Sequence, residues 1–310
     1  MSDFCTCDNG ISSLFVGGCQ GIVDITDRII FFEKYDNNGG RNLLDVSTNP
    51  IPASVINGLF KNADASKRFH ITPSVLNPTW VENEANNQTF DGGEIEKLSD
   101  GTTVMTLMVT NVTPQEAGKY KRLECGENDV MIVTQTGQLI AYASLADVTA
   151  GNAYGLPVQN ITVLSTPMKT NASVSNVMIT ITFKKSMSVG NIVTIAPSEI
   201  ELDMTEYFEP KGATLAVSGA PTTTEVVVTA VTDYYGISGS TPIVGLVVAD
   251  FIVTNLPSTP VVPSSVDESP DGTYTITYAA QTPADDMTVV IDPASTNVNY
   301  MSNTLEYLIP

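Results

Sequence analysis

His70 is the one histidine in 310 residues, so sites built on several imidazoles are excluded, and any serine or cysteine nucleophile has a single possible base. It stands in Arg68-Phe69-His70-Ile71-Thr72-Pro73, where the end of an alternating strand accounts for it as an ordinary structural side chain. Cys5, Cys7, Cys19 and Cys125 lack the regular framework of a disulfide-stapled domain. The one-residue gap between Cys5 and Cys7 is tighter than a zinc knuckle uses, and no second knuckle follows, so reduced thiols without metal are expected. Phosphate-cradling glycine loops and the H-E-x-x-H helix are absent from the sequence, and no cofactor is expected. Three close carboxylate pairs, Glu82 with Glu84, Glu94 with Glu96, and Asp285 with Asp286, have the chemistry a glycosidase needs at a fixed separation. Each lies in a polar stretch that reads as a solvated turn. Asp36-Asn37-Asn38-Gly39-Gly40 opens like a calcium loop but lacks the distal glutamate, so a hairpin turn is expected there. No catalytic residue is assigned.

The charge points away from nucleic-acid binding. Thirty-four acids against 14 bases give a formal charge of −20, and affinity for a phosphate backbone follows the number of phosphates that Lys and Arg neutralise. With 42% hydrophobic and only 15% charged residues the chain is expected to fold. Thr (37) and Val (33) together make up about 23% of it, and β-branched side chains favour pleated sheet. No apolar run reaches membrane-spanning length; the longest, Ile243 to Val253, is broken by Asp250 and reads as sheet core. The first residues carry neither a basic nor an apolar segment of a secretory signal, so synthesis and assembly in a cytoplasm are expected.

All 14 bases lie between Arg28 and Lys211, which predicts two domains, 1–210 and 211–310, joined at Glu206-Tyr207-Phe208-Glu209-Pro210-Lys211-Gly212. In the second, short apolar runs between Gly, Pro, Ser and Asp clusters predict an antiparallel sandwich. Thr273-Tyr274-Thr275-Ile276-Thr277-Tyr278 alternates strictly, with Tyr274, Ile276 and Tyr278 on one face. In the first, strands are predicted at Thr103–Thr110, Val130–Thr134, Gln138–Ala143, Ile161–Leu164, Val177–Phe183 and Ile192–Ala196. Short helices are predicted after the capping pattern Thr113-Pro114-Gln115-Glu116, ending at Gly126, and over Pro52–Lys61. The polar stretch from Asn77 to Gly101 shows neither period and reads as a long excursion. Its aromatic and acidic residues, Trp80, Glu82, Glu84, Phe90 and Glu94, are the candidate contacts with a neighbouring subunit.

The second domain resembles bacterial immunoglobulin-like domains through Ala249-Asp250-Phe251-Ile252-Val253-Thr254 followed by Asp271-Gly272-Thr273-Tyr274-Thr275-Ile276. Lys67–Pro73, the loop through Phe90 and Asp91-Gly92-Gly93, Thr103–Thr110, Pro114–Cys125 and the hairpin Val130–Ile140 follow one another in an order that, over roughly residues 15–205, resembles the major tail tube proteins of tailed bacteriophages, particularly those of Bacteroidetes-type hosts. The order of elements matches better than the residues. The resemblance implies a β-sandwich or barrel with one flanking helix, joined side by side into rings, usually of six subunits, that stack into a tube. It also implies a place in the virion tail, other tail proteins as partners, no catalytic residues, and duplex DNA passing through the lumen without specific binding. The immunoglobulin-like domain would sit on the outer surface, with host-surface glycans as its candidate ligand. Two other readings stay open: a capsid decoration or head-fibre protein, and a carbohydrate-active enzyme with an immunoglobulin-like accessory domain.

Overall fold

The structure, a computed structural model, describes residues 24–310 except 63, 84–85, 90–94, 100, 167, 169–173, 188, 233–240, 257–258, 294 and 296–298. It is mainly β and falls into two compact units, a first that runs up to Phe208 and a second made of Phe60–Asn62 and Glu209–Pro310.

The elements up to Ile195 are β1 (Thr26–Glu33), β2 (Leu44–Asp45), α1 (Ala53–Phe60), β3 (His70–Ile71), β4 (Leu76–Glu82), β5 (Asn86–Thr89), β6 (Ile95–Ser99), β7 (Thr103–Thr110), α2 (Pro114–Lys121), β8 (Asn128–Thr134), β9 (Leu139–Tyr142), α3 (Leu145–Thr149), β10 (Asn152–Ala153), β11 (Leu156–Thr166), β12 (Asn176–Phe183) and β13 (Ile192–Ile195). Nine of these strands form one sheet in the order β13-β9-β8-β11-β12-β7-β4, with β1 also on β8 and β3 on β1. β8 is the fork. One of its edges is taken by β1, and the other is shared between β11 at Asp129 and Val130 and β9 at Ile132 and Val133. The fork lets the two arms close on each other, so Ile29, Phe31 and Ile132 share one core with Leu107, Ile179 and Ile181. β8 is buried along its whole length, because its opposite face is covered as well; there Phe32 of β1 stacks on Phe69 at 4.0 Å. A strand covered on both faces reads as a continuous apolar run.

Helix α2 starts as its sequence predicts. Thr113 Oγ1 accepts from the Glu116 N–H (3.2 Å), Glu116 Oε2 accepts from the Thr113 N–H (2.7 Å), and Pro114 takes the first helical position. It stops at Lys121 and tightens into a 3-10 turn at Arg122–Glu124 before Gly126, whose φ of +107° turns the chain away. Ala117 is buried in the core, and Tyr120 and Leu123 pack against it. Helix α1 also lies inside its expected range, and the Asp36–Gly40 stretch is the expected turn, closed by the Gly39 N–H on the Asp36 carbonyl and by Asp36 Oδ1 accepting from Gly40.

The expected excursion from Asn77 to Gly101 is corrected. It holds β4, which pairs with β7 at the sheet's end, and the β5–β6 hairpin. Pairing with β7 overrides the turn signals: Asn77 takes a φ of +50° inside a register shift between Leu76 and Thr79, which absorbs Pro78 without ending the strand. The strand β1 was not among those expected, and β11 begins five residues ahead of its predicted start, at Leu156 rather than Ile161.

The second unit contains β14 (Lys211–Val217), β15 (Glu225–Thr232), β16 (Phe251–Asn255), β17 (Thr259–Val261), β18 (Pro263–Glu268), β19 (Thr273–Tyr278), β20 (Asp286–Ile291), β21 (Tyr300–Ser302) and β22 (Leu305–Leu308). A five-stranded sheet, β18-β19-β15-β14-β21, and a four-stranded sheet, β17-β16-β20-β22, share one core in which Val226, Val228 and Ile276 meet Val253, Met287 and Val289. Tyr274, Ile276 and Tyr278 are buried, as the alternation requires, and Tyr274 keeps its hydroxyl satisfied by donating to the Ile243 carbonyl (2.7 Å). Burial, the largest influence, pushes that phenol up to about 12. The apolar run from Ile243 to Val253 is not one strand. Ile243 and Leu246 enter the core, Val248–Asp250 form a 3-10 turn, and β16 begins only at Phe251. Asp250 is buried there because both its oxygens are used, Oδ2 by the Val247 N–H (2.9 Å) and Oδ1 by Ser295 Oγ (2.7 Å). Lys61 donates to the carbonyl of the same Ser295 (2.9 Å), and desolvation lowers its pKa.

Ile179→Ala is expected to lower the stability of the first unit by about 2–5 kcal/mol, the usual cost of truncating a fully buried Ile. Met178→Ala, one residue away on the opposite face, is expected to stay within about 0.5 kcal/mol. Urea unfolding followed by tyrosine fluorescence checks the pair, and a larger loss for Met178→Ala than for Ile179→Ala would mean that the faces are assigned the wrong way round.

Candidate functional site

Alternation in β7 and β12 sends Met105, Leu107, Val109, Val177, Ile179 and Ile181 into the core and turns the residues between them outward. Register then lines the outward residues up across four strands. Leu164, Met178, Met108 and Leu76 form one row; Thr162, Thr180, Thr106 and Thr79 the next; Asn160, Thr182, Val104 and Val81 a third. None of these twelve residues can carry charge, in a chain of formal charge −20. The threonine row is tied laterally, with Thr106 Oγ1 3.5 Å from Thr180 Oγ1 and Thr79 Oγ1 donating to the Thr106 carbonyl at 3.4 Å. The apolar row is open, with Leu164 58% and Leu76 48% exposed. Such a face offers hydroxyl dipoles and methyl groups but no cation to bind a phosphate and no carboxylate to repel one.

Side chains fix the limits of this face. At the β11 edge, Glu124 Oε1 accepts from the Val163 N–H (2.7 Å) and Lys121 Nζ donates to the Val163 carbonyl (3.1 Å), while Lys121 and Glu124 also pair with each other at 2.7 Å. This clip uses up the donor and acceptor that an exposed edge would otherwise present to another strand. Lys121, first, and then the Val163 N–H hold the Glu124 carboxyl below its ordinary range. At the other end of the face, Trp80 of β4 stacks on Phe183 at 4.9 Å and covers the rim of the core.

Of the residues expected at a subunit contact, Trp80 therefore packs on its own unit while remaining 47% exposed, and Glu82 is exposed at the end of β4. Glu84, Phe90 and Glu94 lie outside the described residues. Of the carboxylate pairs, Asp285 accepts from Asn255 Nδ2 (2.8 Å) and from the Thr282 N–H (3.0 Å) as a turn staple, and Asp286 starts β20. Desolvation pushes the Asp129 carboxyl up against the pull of Arg41, 3.5 Å away. Arg41 in turn lies 3.9 Å over the Tyr154 ring, which makes the pair an internal brace. His70 pairs with Phe31 at a strand end, and Cys125 is a free, exposed thiol. No group of three or more metal-ligating side chains occurs among the described residues, and no helix there is long and apolar enough to cross a membrane.

The sequence reading missed the β4 contribution to this face. Its signal was available in the spacing of Thr79 and Val81, but the Asn77-Pro78 pair masks the period. The chain matches no known family model, and no curated protein is similar to it in sequence.

The edge clip should respond to pH. A carboxylate held below its usual pKa stabilises above the unfolded-state value and loses that contribution as pH falls through the folded value, so the protection of the Val163 amide relative to its intrinsic exchange rate at the same pH should be high at neutral pH and lower below about pH 4. Glu124→Gln should lower the neutral-pH protection factor at Val163 toward the acid value and flatten the dependence of that factor on pH. Unchanged amide exchange at Val163 in that variant would remove the clip from the account.

Proposed function

We propose that the protein is a structural virion component, a tail tube subunit that assembles into stacked rings and conducts duplex DNA without binding it. The observation that carries this reading is the uncharged four-stranded face. A passage for a polyanion works best when its wall neither condenses onto phosphates nor repels them strongly, and twelve neutral residues in registered rows provide such a wall. The side-chain clip at Val163 supports the same reading, because it closes one edge of the sheet and leaves the sheet ends at β4 and β13 for contacts between copies. The tail tube resemblance supplies the ring and the DNA. In this reading the immunoglobulin-like unit is carried on the outside of the tube, other tail proteins are partners, and the chain has no catalytic role.

Repulsion between subunits of charge −20 must be screened for rings to close, so salt should favour assembly. Negative-stain images are expected to show rings or tubes, more of them at about 0.5 M than at about 0.05 M NaCl, a range over which the screening length falls to a few ångströms. Assembled wild-type protein should not retain linear duplex DNA at physiological salt, whereas Thr106→Lys with Thr180→Lys should retain it. Monomers at every salt concentration would overturn the assembly. Tight DNA retention by the wild type would overturn the neutral wall.

A further inference from the structure

The long sheet of the first unit ends on two strands that are each paired on one side only, β4 with β7 and β13 with β9. The Asn83 N–H donates to the Thr102 carbonyl (3.0 Å), so antiparallel alternation turns the peptide groups of Thr79 and Val81 toward β7 and those of Trp80 and Glu82 away from it. At the other end the Ala143 N–H donates to the Asn191 carbonyl (2.8 Å), which turns Val193 and Ile195 toward β9 and leaves Ile192 and Thr194 facing out. Among the described residues nothing pairs with either outer side. The six pairings along the path from β13 to β4 are all antiparallel, so the two end strands run in the same sense. A neighbour related by rotation about an axis along the strands therefore brings its β4 up to β13 in parallel. The free groups match in that arrangement: the Trp80 N–H meets the Ile192 carbonyl, the Thr194 N–H the Trp80 carbonyl, and the Glu82 N–H the Thr194 carbonyl.

Trp80 then stands opposite Val193, which with Ile195 lines a groove of about 580 Å³. Val46, Ile51 and Val148 complete its apolar wall, and Gln138 borders it. Glu199, the only charged residue lining it, has its carboxylate taken up by the Ala196 N–H (2.8 Å) and Asn49 Nδ2 (3.4 Å). The Gln138 side-chain oxygen is buried and accepts no hydrogen bond, so a donor arriving there relieves a desolvated acceptor. Trp80 supplies both needs, with a ring that is 47% exposed and an indole N–H that can only donate. Its stack on Phe183 at 4.9 Å fixes the ring before contact and lowers the ordering cost of association. Charge favours the same match. Leu76–Val81 and Ile192–Ile195 carry none, in a chain of formal charge −20.

We infer that copies join by seating β4 of one in parallel on β13 of the next, with Trp80 in the groove and its indole N–H donating to Gln138. This contact rests on the ring reading above. Mass photometry of the full chain at about 0.5 M NaCl tests it. Trp80→Ala removes the anchor from the β4 end, and Thr194→Pro removes an outward N–H without touching a bond to β9, so each variant alone should stay monomeric. Mixed, they should form dimers and nothing larger, because the intact β4 of the Thr194→Pro chain fits the intact groove of the Trp80→Ala chain. Slow exchange of β8 amides reports that both are folded. Trp80→Phe keeps an aromatic ring on Phe183 but loses the donor, and should raise the concentration for half-assembly about tenfold with Gln138 present and leave it unchanged in Gln138→Leu. Wild-type-like assembly of either blocked variant alone, or an equal effect of Trp80→Phe in both backgrounds, would overturn the contact and leave the ring reading intact. A wild type that stays monomeric would overturn both. Capped dimers together with wild-type rings that retain duplex DNA would overturn the tube and leave the contact standing.

Discussion

The register of β12 between β11 and β7 governs most of what the first unit presents. A slip of one residue on either side would bring Met178, Thr180 and Thr182 inward and push Val177, Ile179, Ile181 and Phe183 into water. Fully burying side chains of that size contributes about 1.5–3 kcal/mol each, so the slipped pairing is far less stable. The same preference that holds the core together therefore also lines up the neutral rows on the outer side. Core and outer face are two consequences of one pairing.

Charge sets the second constraint. With 34 acids and 14 bases, the chain has few cations to spend on contacts, and several of those described are committed inside it. Lys121 closes the β11 edge, Arg41 braces Asp129 against Tyr154, Lys61 reaches the Ser295 carbonyl, and Arg28 donates to the Tyr207 carbonyl. Surplus negative charge remains on the rest of the surface, where it favours solubility and opposes association. A neutral sheet face is thus the region where another polyanion, or another copy, meets the least resistance.

How far the fold was legible depended on whether local pattern and tertiary pairing agreed. They agree in β7, β12 and β19, where strict alternation between apolar and hydroxyl residues leaves one solution, and at α2, where Thr113, Pro114 and Glu116 specify a start. They disagree in β4, where Asn77 and Pro78 signal a turn that pairing with β7 overrules. β1 carries the run Ile-Ile-Phe-Phe, buried on both faces and so without a period to detect. The outer face was harder still, because its rows join residues from four strands and become visible only once register is known. The clip at Val163 depends on a tertiary approach of α2 to β11 that no local signal announces.

The composition of the outermost row has a chemical consequence. Two of its four members, Met108 and Met178, are thioethers. Oxidation to the sulfoxide adds a dipole and a stereocentre but no charge. An acidic or basic residue gained at either position would alter the field across the whole face, whereas the commonest oxidative lesion available there leaves it electrically neutral. Such a surface can age outside a reducing cell, becoming more polar, without acquiring affinity for a polyanion.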